Sequence, residues 1–189
     1  MQIEKEILNQ ITAVPTPKII AISGFGGSGK STFAQQLGAS ISAPVISIDS
    51  FQKDATNVQF SFWETMDFLR FEREVLKPFA DGESTLRYGD FDRNTDGGVD
   101  SDTVEISHKG VLIVEGVGIF RTELLKYFNI KIWIDCSLDV AEARGIKRDR
   151  EVFHSLHDAQ WYKTWRENDE QYFETHKPKE VADIVVPNE

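Results

Sequence analysis

Cysteine occurs once in these 189 residues, at Cys136, so no intramolecular disulfide can form and a reducing compartment is expected. Basic residues are in deficit: 21 lysines and arginines stand against 31 acidic residues, a formal charge of −10. A surface of that sign repels a polyphosphate backbone and argues against a nucleic-acid partner. No apolar run approaches the roughly 18 residues a membrane helix needs, and Met1 to Gln10 carries Glu4, Lys5 and Glu6 where a signal peptide would be apolar. His108, His154, His157 and His176 show no metal-ligand spacing. Repeats and low-complexity segments are lacking too. With disulfide scaffolds, membrane proteins and nucleic-acid binders set aside, a cytoplasmic globular protein is expected. The 40% hydrophobic and 28% charged composition is ordinary for one.

What is present alternates between two periods. Apolar, β-branched runs at Lys18–Ser23, Pro44–Ile48, Gly110–Glu115, Ile130–Asp135 and Val181–Val186 read as strands buried on both faces. Helical spacing separates them. Thr32 to Ile41 places Phe33, Leu37 and Ile41 four apart, and Asp67 to Lys77 gathers Phe68, Phe71, Val75 and Leu76 before Pro78 and Gly82 close it. Ser137 reads as the N-cap of a helix to about Arg148, and Ser155 as that of a helix from Leu156 to about His176, ended by Pro178. Strands separated by helices predict an α/β fold: a five-stranded parallel sheet flanked by helices. Residues 82–108, with glycines at 89, 97 and 98 and alternation at Thr103–Ser107, read as an inserted hairpin or loop.

Four features carry chemistry. Gly24-Phe25-Gly26-Gly27-Ser28-Gly29-Lys30-Ser31 satisfies G-x-x-x-x-G-K-[ST], follows the first predicted strand and opens the first helix, as a phosphate loop of a P-loop NTPase fold must. Glycines let successive backbone N–H groups turn toward an anion, and the helix N-terminus behind adds partial positive charge. Lys30 is then placed to bridge the outer phosphates of ATP, and the Ser31 hydroxyl to ligate Mg2+. Val111 to Gly116 is an apolar strand ending in Glu115, a carboxylate placed where the metal would sit. Asp49 closes the second strand at the same edge, where a carboxylate can orient an attacking hydroxyl and take its proton. Arg144, Lys147, Arg148 and Arg150 form the densest basic cluster. Arg144 and Arg148 share a helical face suited to the charge of a transferring phosphoryl group, whereas Arg150 should point away. Trp161, Trp165, Tyr172 and Phe173 read as a core-facing stripe, and Phe60, Phe62 and Trp63 as an aromatic cluster that could line a pocket.

Taken in order, these motifs resemble the uridine kinase family, which neighbours phosphoribulokinase and pantothenate kinase. Gly24–Thr32, with Gly24, Gly26, Gly27, Ser28, Gly29, Lys30, Ser31 and Thr32, is similar to the family's Walker A loop. Ile48-Asp49-Ser50-Phe51 resembles its D-S-F-Y segment, whose Asp is the catalytic base, and Ile113-Val114-Glu115-Gly116 its apolar-E-G strand end. Arg144 to Asp149 resembles the lid motif R-R-x-x-R-D, which implies a lid over about 144–158. Ala182 to Pro187 resembles the closing A-D-x-I-x-P strand, which implies adenine near Pro187. The resemblance spans residues 18–188 and implies a single kinase domain. Gln52 stands for the family's Tyr, and Gly145 for its second lid Arg. Tyr88-Gly89-Asp90-Phe91-Asp92-Arg93 is a loose counterpart of its Y-D-F segment, and Glu64 and Asp67 are the candidates for its ribose-binding Asp.

The expectation is therefore an ATP- and Mg2+-dependent small-molecule kinase acting on a hydroxyl, foremost the 5′-OH of a ribonucleoside. Phe51, Glu64, Asp67, Tyr88 and Phe91 are its acceptor-side residues. Two alternatives stand beside it: a kinase for another small alcohol (a sugar, pantothenate or a vitamin riboside) and a nucleotide-binding regulatory ATPase. A GTPase switch is disfavoured, since no N-K-x-D guanine motif occurs. Association into a homo-oligomer is left open.

Overall fold

The computed structural model describes residues 3–53, 62–91, 100–152 and 161–189, without the side chains of Phe62, Glu64 and residues 100–102. Strands β1 (Lys18–Ser23), β2 (Val45–Ser47), β5 (Val111–Glu115), β6 (Ile130–Asp135) and β7 (Ile184–Pro187) form the sheet, in the order β2-β5-β1-β6-β7. Every pairing in it is parallel, as the doubly apolar runs predict.

Alternation along β1 sends its side chains to two separate cores. Ile19 and Ala21 join a cluster with Phe51, Phe71, Leu86, Phe120 and Trp133. Ile20 and Ile22 face the other way, against Phe33 and Leu37 of helix α2 (Lys30–Ile41) and Ile7 and Ile11 of helix α1 (Lys5–Ala13). Each fully buried isoleucine adds about 1.5–3 kcal/mol, which is why this strand runs through the middle of the sheet. The strands β3 (Thr85–Phe91) and β4 (Asp100–Ser107) pair antiparallel as a separate hairpin, within the expected insert; residues 92–99 of that insert lie outside the described residues.

Three elements differ from expectation. The helix expected to stop before Pro78 passes through it: Phe68–Phe71 is α-helical (α3), Glu72–Leu76 forms a π turn, and Lys77–Ala80 resumes the α form (α4). The proline sits in the first turn of that last piece, where a missing N–H is tolerated. The final strand begins at Ile184, because Pro178–Val181 forms a helical turn first. Asp183 then ties the strand's start to β6, accepting from the Lys131 backbone N–H at 2.7 Å and its Nζ at 2.8 Å. The phosphate-loop helix starts at Lys30, not Thr32. Ser137 does cap its helix, α5 (Leu138–Glu151), accepting from Val140 N. The expected cap Ser155 lies outside the described residues; the following helix is seen as a π turn at Trp161–Trp165 and an α-helix, α6, at Arg166–His176. Among the described residues no helix is long and apolar enough to cross a membrane.

Candidate active site

Because the sheet is parallel, β1, β2 and β5 end at one edge, the side where open α/β sheets take ligands. The phosphate loop leaves β1 there. Gly27 and Gly29 have φ of +87° and +93°, a region closed to most side chains, and a Cβ on Gly27 would run into the Ala141 carbonyl oxygen. Gly29 is the N-cap of α2 and brings no side-chain cap, so the helix's first N–H groups remain for an anion. Ser28 Oγ is buried without a hydrogen-bond partner. Ser31 and Thr32 are exposed in the first turn of α2.

Register places Ser47 of β2 opposite Glu115 of β5. Ser31 Oγ donates to Glu115 Oε2 at 3.2 Å. Burial pushes the Glu115 carboxyl up, Lys30 pulls it down, Asp49 pushes it further up, and the Ser47 and Ser31 hydroxyls oppose. A divalent cation beside Ser31 and Glu115 would favour the ionised form. Among the described residues no group of three or more His, Cys, Asp or Glu gathers as a metal cage. A hydroxyl–carboxylate pair is, however, how Mg2+ is commonly held when phosphates and water supply its other ligands. Asp49 is exposed on a 3-10 turn, Ile48–Phe51, and its N–H donates to Ser47 Oγ at 3.3 Å. Ser31, Glu115 and Asp49 thus meet at one strand edge.

On α5, Arg144 Nη1 donates to the Asn188 carbonyl at 2.6 Å, and Asn188 Nδ2 donates to the Ser28 carbonyl at 2.7 Å. The chain's last residues thereby connect this arginine to the phosphate loop; Pro187, just before, is exposed. Arg148 bonds Asp149 Oδ1 through Nε at 3.1 Å and Nη2 at 2.8 Å, and Trp161 Nε1 donates to Asp149 Oδ2 at 2.7 Å. A Cβ on Gly145 would overlap the Trp161 ring, so the absence of an arginine here has a steric reason. Arg150 is exposed. Of the aromatic stripe, Trp161 and Tyr172 are buried, whereas Phe173 is 36% exposed and leans on Phe25 and Trp133.

The acceptor-side candidates are spread differently. The Phe51 ring is fully buried, 5.1 Å from Phe71 and 5.2 Å from Tyr88. Tyr88 is buried on β3, and burial pushes its hydroxyl up to about 12. Asp67 caps Phe68–Phe71, accepting from Arg70 N at 2.9 Å. Phe91 ends β3, half-buried. The Glu64 and Phe62 side chains, Phe60, Asp92 and Arg93 lie outside the described residues, while Trp63 packs against Gly118 and Tyr172.

Sequence reasoning missed Arg70, Asp169, Tyr172 and Asn188 as site supports. Tyr172 OH accepts from Phe120 N at 3.1 Å and lies 3.1 Å from Ser23 Oγ, beneath the loop's start. Buried Arg70 joins two segments: Nη2 donates to the Ser50 carbonyl at 2.8 Å, Nη1 to the Gly89 carbonyl at 2.9 Å, and its guanidinium lies 4.8 Å over Phe51. Arg70→Ala leaves both carbonyls unpaired, so a loss of about 2–4 kcal/mol in urea unfolding is expected. A change within about 0.5 kcal/mol would mean that Arg70 is replaceable by solvent.

Comparison with known proteins agrees with this geometry. The phosphoribulokinase/uridine kinase family matches residues 19–187. A uridine kinase of Clostridium novyi (strain NT) is 30% identical over 186 residues, covering 90% of this chain and 87% of that protein. One of Borrelia duttonii (strain Ly) is 27% identical over 183 residues, covering 90% and 86%. The solved structure of a possible uridine kinase from Bacillus stearothermophilus superposes with a TM-score of 0.72 at 20% identity, over 96% of this chain and 95% of that one, which bears on the fold. With the loop, the strand-end carboxylates and this match over nearly its whole length, the chain belongs to the phosphoribulokinase/uridine kinase family and is a phosphotransferase with a hydroxyl acceptor.

Proposed function

We propose that the chain is an ATP- and Mg2+-dependent kinase for a small molecule, foremost the 5′-OH of a ribonucleoside. The observation that carries this is the meeting of the phosphate loop, the Ser31–Glu115 pair and Asp49 at one sheet edge. Bound ATP–Mg2+ supplies the phosphoryl group and the charge that holds it. The residues present fit it: the backbone N–H groups of Gly24 to Thr32 would hold the phosphates, Lys30 would supply positive charge to the outer ones, and Ser31 and Glu115 would hold the metal. Asp49 orients the acceptor hydroxyl and takes its proton. Arg148 and Arg144, in the expected lid of about 144–158, of which 153–158 lie outside the described residues, would balance the charge that develops on the equatorial oxygens, and Pro187 would border the adenine. Glu64, Asp67, Tyr88 and Phe91, with Phe51 packed behind Tyr88, form the acceptor side together with the insert at about 82–108. The whole is one kinase domain working in the cytoplasm, with neither nucleic acid nor membrane as partner.

A ribonucleoside acceptor is supported by the name of the curated relatives and by the aromatic rings on this side. Gln52 and the altered Tyr88–Arg93 segment make the choice of base the open variable, because a site built on hydrogen bonds discriminates by up to roughly 10⁴–10⁵-fold. The test is ADP release by pure protein at saturating ATP–Mg2+ with uridine, cytidine, other ribonucleosides, pantothenate and simple sugars. Acceptor-dependent release with a ribonucleoside is expected. Strong activity with a non-nucleoside alone would overturn the acceptor and keep the kinase. Tight ATP binding with no acceptor-stimulated release would favour a nucleotide-binding regulator.

A further inference from the structure

One donor of the phosphate loop is already bonded to a carboxylate of the chain itself. Asp169, on α6, accepts from the Gly26 backbone N–H through Oδ2 at 2.8 Å, and its side chain is buried. Lys30 pulls the same carboxyl down, so Asp169 draws on both a backbone donor and the cation of the loop that would hold the phosphates of a nucleotide. We infer that Asp169 is a specificity-determining residue: it competes with the terminal phosphate for Gly26 and Lys30, and through its charge the protein distinguishes ATP from ADP.

The hydrogen bond alone does not require a charge. An asparagine oxygen accepts from an N–H as well and is far cheaper to bury. Here burial pushes the carboxyl up to about 6, with the Gly26 N–H and Lys30 opposing it. The charged group that acts on it is Lys30; on its own helix the Tyr172 hydroxyl is pushed up chiefly by burial and in small part by Asp169. Trp161 covers the same place: a Cβ on Gly26 would lie 3.2 Å from the indole ring and 3.5 Å from Asp169 Oδ2. Charges shielded from water by an indole repel each other strongly, so two anions cannot share this donor and this cation.

A nucleotide with two phosphates leaves Asp169 in place, and one with three displaces it. Displacement moves α6, and with it Trp161, which also seals Gly145 on α5. The segment next to the proposed lid thereby registers which nucleotide is bound. This rests on the reading that the loop binds ATP.

The test compares binding of Mg–ADP and of the Mg complex of a non-hydrolysable β,γ-imido ATP analogue, by calorimetry, in the wild type and in Asp169→Asn. The variant is expected to bind the ATP analogue tighter by on the order of ten- to a hundredfold, with ADP almost unchanged. Equal changes for both nucleotides, or no change, would overturn the inference. If the wild type bound neither nucleotide, the ATP reading would fall and the inference with it. Should Asp169→Asn not fold, hydrogen exchange of the wild type decides. The ATP analogue should alter protection over residues 161–176 and ADP should not, whereas identical patterns would overturn the proposal.

Discussion

Lys30→Ala is expected to abolish phosphoryl transfer, by roughly 10³-fold or more, while leaving the fold in place. The side chain lies at the first position of α2, and its charge reaches Glu115 on one side and Asp169 on the other. Its hydrocarbon stem is not part of the core: α2 packs through Phe33, Ala34, Leu37 and Gly38. A cation at the positive end of a helix dipole is moreover unfavourable for the helix, so alanine there costs α2 nothing. What is lost is the cation between two carboxylates at the place where outer phosphates must be held. Single-turnover phosphoryl transfer and a far-ultraviolet circular dichroism spectrum check both halves. Near wild-type transfer with a normal spectrum would remove Lys30 from the phosphate site.

Lys30, Asp49 and Glu115 were legible because everything that places them is local. A strand ends, a loop of set length turns, a helix starts, and the residue number follows from the spacing. The five strands were legible for the same reason, and so was the Ser137 cap, whose partner is three residues away. Asp169 and Asn188 gave no such signal. Asp169 bonds a glycine 143 residues earlier and Asn188 a carbonyl 160 residues earlier, and neither contact leaves a period in the sequence. Arg70 was hidden inside an apolar helical pattern, where a lone cation reads as the solvated side. Pro78 differs in kind: a proline in a helical pattern reads as a stop, yet this one is accommodated in the first turn of a resumed helix behind a π turn. Arg144 differs again. Helical spacing establishes which side chains share a face with it, but the fold establishes what that face meets, and here Arg144 holds the Asn188 carbonyl.

Asp49→Asn is expected to lower turnover by about 10²- to 10⁴-fold, the usual worth of a positioned general base, with little change in nucleotide affinity. The residue is exposed on its 3-10 turn, outside the buried core. Its backbone N–H bond to Ser47 Oγ survives the substitution, which keeps the turn where it is. The amide matches the carboxylate in shape and can still meet an acceptor hydroxyl, but it cannot take the proton. The metal side should not suffer. Glu115 is pushed up by burial first and by Asp49 as well, so removing the Asp49 charge makes Glu115 easier to ionise and the Ser31–Glu115 pair no worse for a cation. The two effects therefore separate in one experiment: steady-state turnover with a saturating acceptor, beside calorimetric binding of the Mg complex of an ATP analogue. A fall in nucleotide affinity at unchanged turnover would place Asp49 with the metal instead of the acceptor hydroxyl, and the proton would then need another destination.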